Sequence, residues 1–185
     1  MTVRRAILPD DAVQLAEVLQ DNTDYLRRVA PDVLGFHAPS VWTPEMAERH
    51  IGRKEAWVYE ESGVIMSLVT YRLVRIDGAL WFQPIDGAIR ASRIPDAEHE
   101  AYLYMPLRGA VPEAMAQGVT STLVHFSAAH ARLDTSLRGF STADDTTIVD
   151  KGDGSKEYRT PLRLDEITAK SAPIEGRDIT ATGPR

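Results

Sequence analysis

With 185 residues, 43% of them hydrophobic and 26% charged, the chain has the make-up of one globular domain able to bury a sizeable core. Its formal net charge of −6 excludes the basic surface that non-specific nucleic-acid binding requires. The absence of cysteine excludes disulfides, thiolate catalysis and cysteine zinc sites. There is no long apolar run and no signal-like start, so a soluble, cytoplasmic protein without a membrane partner is expected.

Thr2 to Leu8 alternates and is bounded by Pro9, which predicts a short strand. Asp10 or Asp11 then caps a helix reaching about Asn22, with Ala12, Leu15, Ala16 and Leu19 at helical spacing. Residues 23–42 mix Tyr25, Leu26, Phe36 and Trp42 with turn formers, as a partly helical, partly looped segment over a pocket would. Thr43-Pro44-Glu45 is a helix start, and that helix ends near Gly52. Residues 56–61 and 64–74 are the strongest strand signals, joined through Ser62-Gly63 as an antiparallel hairpin. Leu80 to Gln83 is a further short strand, Asp86 to Glu98 a loop, and Tyr102 to Leu107 the next strand.

The stretch Val111 to Val124 follows. It predicts a small-residue turn at Gly118 that opens a helix with Val119, Leu123, Phe126, His130 and Leu133 on its buried face. A strand turning into a helix N-terminus is an anion site, because unpaired N–H groups and the positive dipole end converge there. The alternative is that Gly118 only lets the chain turn. Ser136 to Thr142 could be a strand, Asp144 to Lys156 is a polar connector, and Lys156 to Leu164 closes the sheet. The polar stretch from Lys170 onward divides the chain into a domain at 1–169 and a flexible tail at 170–185.

Three places carry a family resemblance. Arg4-Arg5-Ala6 with Pro9-Asp10-Asp11-Ala12 and Leu15-Ala16, the hairpin from Trp57 to Val69, and Pro112-Glu113 followed by Gln117-Gly118-Val119 and Leu123 resemble the GNAT N-acetyltransferase family over residues 2–142. The resemblance implies an α+β fold, with a mixed, mostly antiparallel central sheet and flanking helices, splayed beside its fourth strand. It implies acetyl-CoA as co-substrate, with Gln117, Gly118, Val119, Thr120 and Ser121 around the pyrophosphate. The backbone at Leu107, Gly109 and Val111 would hold the pantetheine and thioester carbonyl. Met115 and Thr120 depart from the family's loop, and no tyrosine stands at the family's usual place after the helix.

Such a fold would transfer an acetyl or other acyl group to a small-molecule or peptide amine by direct attack in a ternary complex. That chemistry needs a base, an acid for the leaving thiolate and an oxyanion contact. Glu100 is the candidate base, with His99 beside it, and Tyr104 and Tyr158 are candidate acids. Trp42, Trp57 and Trp81 are either core or acceptor-pocket residues. No metal is expected, since His125 and His130 do not share a helix face and Asp150, Asp153 and Gly154 lack calcium-loop spacing. A GNAT-like binding or regulatory domain with weakened catalysis is the alternative, and a homodimer is left open.

Overall fold

The computed structural model describes residues 1–29, 31, 39–52, 54–126, 146–153 and 155–174. Its strands are β1 (Thr2–Arg5), β2 (Glu55–Glu61), β3 (Val64–Ile76), β4 (Ala79–Ile89), β5 (Ser121–Phe126), β6 (Thr147–Asp150) and β7 (Lys156–Pro161). They form one seven-stranded sheet in the order β1-β2-β3-β4-β5-β7-β6. Every neighbouring pair is antiparallel except β4 with β5, which is parallel. The helices are α1 (Ala12–Val29), α2 (Pro44–Ile51), α3 (His99–Tyr104), α4 (Leu107–Ala116) and α5 (Leu164–Ser171). This is the expected mixed sheet with flanking helices.

Local signals explain the first half. Thr43 Oγ1 accepts from the Met46 N–H at 3.3 Å and Pro44 takes the first helical position, so α2 starts as anticipated. Ser62 and Gly63 have φ of 51° and 79°, and Asp77 and Gly78 have 50° and 84°. Two residues of positive φ match the right-handed strand twist, so β2, β3 and β4 run as a meander of tight hairpins. Leu15, Val18, Ala47 and Ile51 of α1 and α2 pack on Val58, Leu68 and Ala88. On the opposite face Leu107, Val111 and Ile167 cover Val69, Tyr71 and Phe82. Each such side chain contributes about 1.5–3 kcal/mol of burial.

The edge strand β1 is tied to both layers, because successive residues point to opposite faces. The Arg4 guanidinium donates to Asp11 and Glu60, and that of Arg5 to Glu55 and to Glu113 on α4. The Asp11 carboxylate also accepts from the Ile7 N–H at 2.7 Å, so it braces β1 instead of capping α1.

Several expectations are corrected. α1 continues to Val29, and β4 reaches Ile89, leaving only residues 90–98 as connection. Tyr102 to Leu107 is not a strand: Tyr102 to Tyr104 end α3, Met105 and Pro106 turn, and Leu107 opens α4, whose Leu107, Ala110, Val111 and Ala114 recur at three and four residues and are buried. Val111 to Val124 is therefore a helix, a turn and a strand, the reverse of the anticipated order. Gly118, at φ 84°, closes α4. Its N–H donates to Met115 O and that of Val119 to Ala114 O, a glycine-dependent helix ending of the Schellman type. The anticipated helix positions His130 and Leu133 and the strand at 136–142 lie outside the described residues. Ile174 is fully buried in the core. Among the described residues no helix is long and apolar enough to cross a membrane.

Candidate functional site

The sheet has one seam. β4 and β5 share only two registered pairs, Trp81 with Ser121 and Phe82 with Thr122, and the Thr122 hydroxyl donates to Phe82 O at 3.0 Å. Beyond them no further pair is registered between the two strands among the described residues. β4 stays paired to β3 as far as Ile89, with a bulge where Thr70 faces Asp86 and Tyr71 faces Pro84, making Ile85 the extra residue. From Gln83 to Gly87, the β4 edge toward β5 has no registered strand partner among the described residues. Open main-chain groups of this kind are templates for an extended ligand.

A cavity of about 70 Å³ lies in the opening, on the α4–α5 face. Phe82, Pro84, Thr122, Val124, Tyr158 and Thr160 line its sheet side, and Tyr104, Leu107, Val111 and Ile167 its helix side. The Lys170 ammonium donates to the Tyr104 hydroxyl at 3.1 Å and pairs with Glu100 at 3.0 Å. Burial pushes the Tyr104 phenol up, and Lys170 pulls it back in part. Burial disfavours the Lys170 charge, yet Tyr104 and Glu100 outweigh it and raise that group. Of the three catalytic candidates, Tyr104 and Tyr158 thus share the cavity, and Glu100 stands one ion pair away.

The anticipated donor residues divide. Leu107 and Val111 line the cavity, but through helical side chains and not strand backbone. Gly109 lies against the Trp57 ring. Gln117, Gly118, Val119, Thr120 and Ser121 lie at the C-terminal end of α4 and the start of β5, where β4 and β5 are still paired. The dipole there is negative, and Val119 is 1% exposed in the core. The physical basis of an anion cradle at Gly118 is therefore absent.

The connection that does lead from a parting strand into a helix is residues 90–98. Arg90 is committed elsewhere, donating to Ile65 O and to Glu17 at 2.6 Å each. Asp96 and Glu98 precede the short helix α3. An anion at the start of α3 would meet these two carboxylates.

On the α1–α2 face, directly beside the bulge, Asp86 gathers a polar cluster. Its Oδ2 accepts from Lys54 Nζ at 2.6 Å and Thr70 Oγ1 at 2.7 Å, and lies 3.1 Å from His50 Nε2. Burial would raise this carboxyl; hydrogen bonds from His50, Lys54 and Thr70 instead hold it far below the usual carboxylate range. None of the sequence expectations included His50, Lys54 or Asp86. The available signal was an acid interrupting a strand, with His and Lys four residues apart. Trp42 meets the His50 ring edge-on at 5.2 Å, while Trp57 lies under α4 and Trp81 under Arg159. Among the described residues no cluster of three or more His, Asp or Glu could hold a metal.

No family model matches the sequence, and no curated protein matches it. Solved structures do. PaiA N-acetyltransferase from Thermoplasma acidophilum, in complex with coenzyme A, matches 88% of this chain and 100% of its own at TM-score 0.59 and 8% identity. A GNAT-family acetyltransferase from Listeria monocytogenes matches 87% of this chain and 94% of its own at TM-score 0.58 and 15% identity. Aminoglycoside 6′-acetyltransferase type Ii matches 89% and 97% at TM-score 0.55 and 12% identity. The chain has the fold of the GNAT acetyltransferases.

Proposed function

We propose that the chain is an acyl-CoA-dependent N-acyltransferase that passes an acetyl or other acyl group to a small-molecule or peptide amine in a ternary complex. The observation that carries this reading is the end of β4–β5 pairing beside the β4 bulge, which leaves strand edge without a registered partner beside an apolar cavity. The coenzyme A complex of the PaiA neighbour supports the choice of donor. A CoA thioester, when bound, supplies the activated acyl group. The open β4 edge offers main-chain N–H groups to its carbonyl, and Phe82, Leu107 and Val111 exclude water from it. Tyr158 and Tyr104 face the same cavity and can return a proton to a departing thiolate, with Glu100 holding Lys170 against Tyr104.

Calorimetric titration with acetyl-CoA and with CoA tests the reading, and binding by neither overturns it. Thr122→Trp fills the seam and should weaken acetyl-CoA by about tenfold or more, ~1.4 kcal/mol. Gly118→Trp, at the opposite end of α4, should leave the affinity within about twofold. The reverse ranking would put the donor at the Gly118 turn after all. Asp96→Lys removes one opposing charge from the start of α3 and should tighten acetyl-CoA roughly two- to fivefold at low salt, the gain fading as salt is raised. An affinity indifferent to this change would remove the diphosphate from that helix end.

A further inference from the structure

We infer that His50 accepts the proton of the acceptor amine and that Asp86 is the residue positioning its ring, an assignment that deepens the acyltransferase reading and rests on it. The hydrogen-bond geometry fixes the ring's tautomer. His50 Nε2 lies 3.1 Å from Asp86 Oδ2 and 3.1 Å from Lys54 Nζ. The carboxylate requires a hydrogen on Nε2, whereas the ammonium, which only donates, requires a lone pair there. One atom cannot serve both. Lys54 Nζ already has Oδ2 at 2.6 Å, and a bare Nε2 would set its lone pair against a carboxylate. Nε2 therefore carries the hydrogen and donates it to Asp86, leaving the lone pair on Nδ1, which has no partner among the described residues. The His50 side chain is 34% exposed, so the ring is not sealed in the core.

Everything described around the ring holds it in place. Lys54, 8% exposed, and Thr70 anchor the carboxylate, and the Thr70 hydroxyl also receives the Asp86 N–H at 3.2 Å. Trp42 supports the ring edge and is itself fixed on α1 by Gln20 and Thr23. Among the described residues the charged groups brought to His50 are Lys54 and Asp86.

Placement gives the cluster its task. Asp86 follows the bulge at Ile85, where the β4 edge opens. The cavity lies on the α4–α5 face of the strand and the cluster on the α1–α2 face. An acyl carbonyl held at the open edge has the donor's arm behind it, so an amine must approach from the side of His50. The amine lone pair forms the C–N bond while one amine proton moves to His50 Nδ1. The C–S bonding pair leaves on sulfur, which takes one proton from the tyrosine side. One proton is accepted and one delivered, giving an amide and a free thiol.

The test uses the full chain, acetyl-CoA, and a panel of primary alkylamines and short peptides with free N-termini. His50→Gln should lower kcat about a hundredfold or more and abolish the acid limb of kcat against pH, with acetyl-CoA affinity within about twofold of wild type. Added imidazole should partly restore His50→Ala. Nitrogen NMR of the ring should show a protonated Nε2 and bare Nδ1, and Asp86→Asn should disturb that preference while donor binding persists. Near-wild-type turnover with an unchanged pH profile in His50→Gln overturns this assignment alone, as does a bare Nε2 in the wild type. Failure of the wild type to bind acetyl-CoA overturns the acyltransferase reading and this assignment with it.

Discussion

Gly109→Ala is expected to lower the unfolding free energy by about 2 kcal/mol, although glycine to alanine inside a helix ordinarily stabilises by about 1 kcal/mol. The sign is decided by contact. A Cβ at Gly109 falls on the ring carbons of Trp57 in β2, with the nearest atoms belonging to a ring wedged beneath the helix. The helix cannot lift away, since Ala110 and Val111 beside it are fully buried. Overpacking of this sort costs about 1–3 kcal/mol and sometimes more, which outweighs the propensity gain. Thermal unfolding should shift down by roughly 4–8 °C for a chain of this length. Adding Trp57→Leu should recover part of the loss by removing the ring. A Gly109→Ala variant more stable than wild type would mean that α4 is not seated on Trp57.

Asp86→Ala should cost about 3 kcal/mol, because it leaves the Lys54 ammonium buried without its counter-charge. The figure belongs at the low end of the range for buried pairs, as Asp86 itself keeps 28% of its side chain exposed. Lys54→Met combined with Asp86→Asn should be far less damaging than the sum of the single changes, since no orphaned charge remains. The same pair predicts an acid dependence. Asp86 has its folded-state pKa depressed, so its contribution is complete above the ordinary carboxylate value of 3.8 and is lost as pH falls below it. Asp11 and Glu157 are also depressed: burial pushes each up, but Arg4 and the Ile7 N–H prevail at the first, and Lys151 and Arg159 at the second. Urea unfolding should therefore change little from neutrality to about pH 5 and weaken steeply below about pH 4. Asp86→Ala should flatten that decline. A wild-type profile insensitive to acid would contradict the ion-paired cluster.

How much of this could be read in advance follows from how local each signal is. Thr43-Pro44 and Ser62-Gly63 are local and specify α2 and the first hairpin without help from elsewhere. Asp77-Gly78 carried the same hairpin signal and would have extended the meander to β4. The reading stopped β4 short because Pro84, Asp86 and Gly87 break its alternation, and these residues surround the bulge and the open edge. A local rule fails there, at the place where the donor site is proposed. Helix and strand are exchanged on either side of Gly118: the strand expected at Tyr102 to Leu107 falls in helices, and the helix expected after Gly118 begins as β5. A glycine that ends a helix and one that precedes a helix look alike in sequence, and Pro112, quoted for the resemblance, lies inside α4. The GNAT resemblance thus named the right fold while resting one of its three supports on the wrong turn. Tyr104 and Tyr158 were legible as residue types, though Tyr104 reaches the cavity from a helix instead of a strand. His50, Lys54, Thr70 and Asp86 come from separate segments, and only folding assembles them.

The two-pair seam between β4 and β5 also bears on cohesion. The three strands β5, β7 and β6 are joined to the rest of the sheet through one short parallel contact, so part of the sheet's cooperativity is missing from the chain itself. An extended thioester arm along the β4 edge would supply it, acting in hydrogen-bonding terms as a strand the sequence does not encode. A ligand that binds only the folded state adds about 2.7 kcal/mol at a hundred times its dissociation constant. Much of that gain would fall on the seam, and the integrity of the sheet would then follow the concentration of such a ligand.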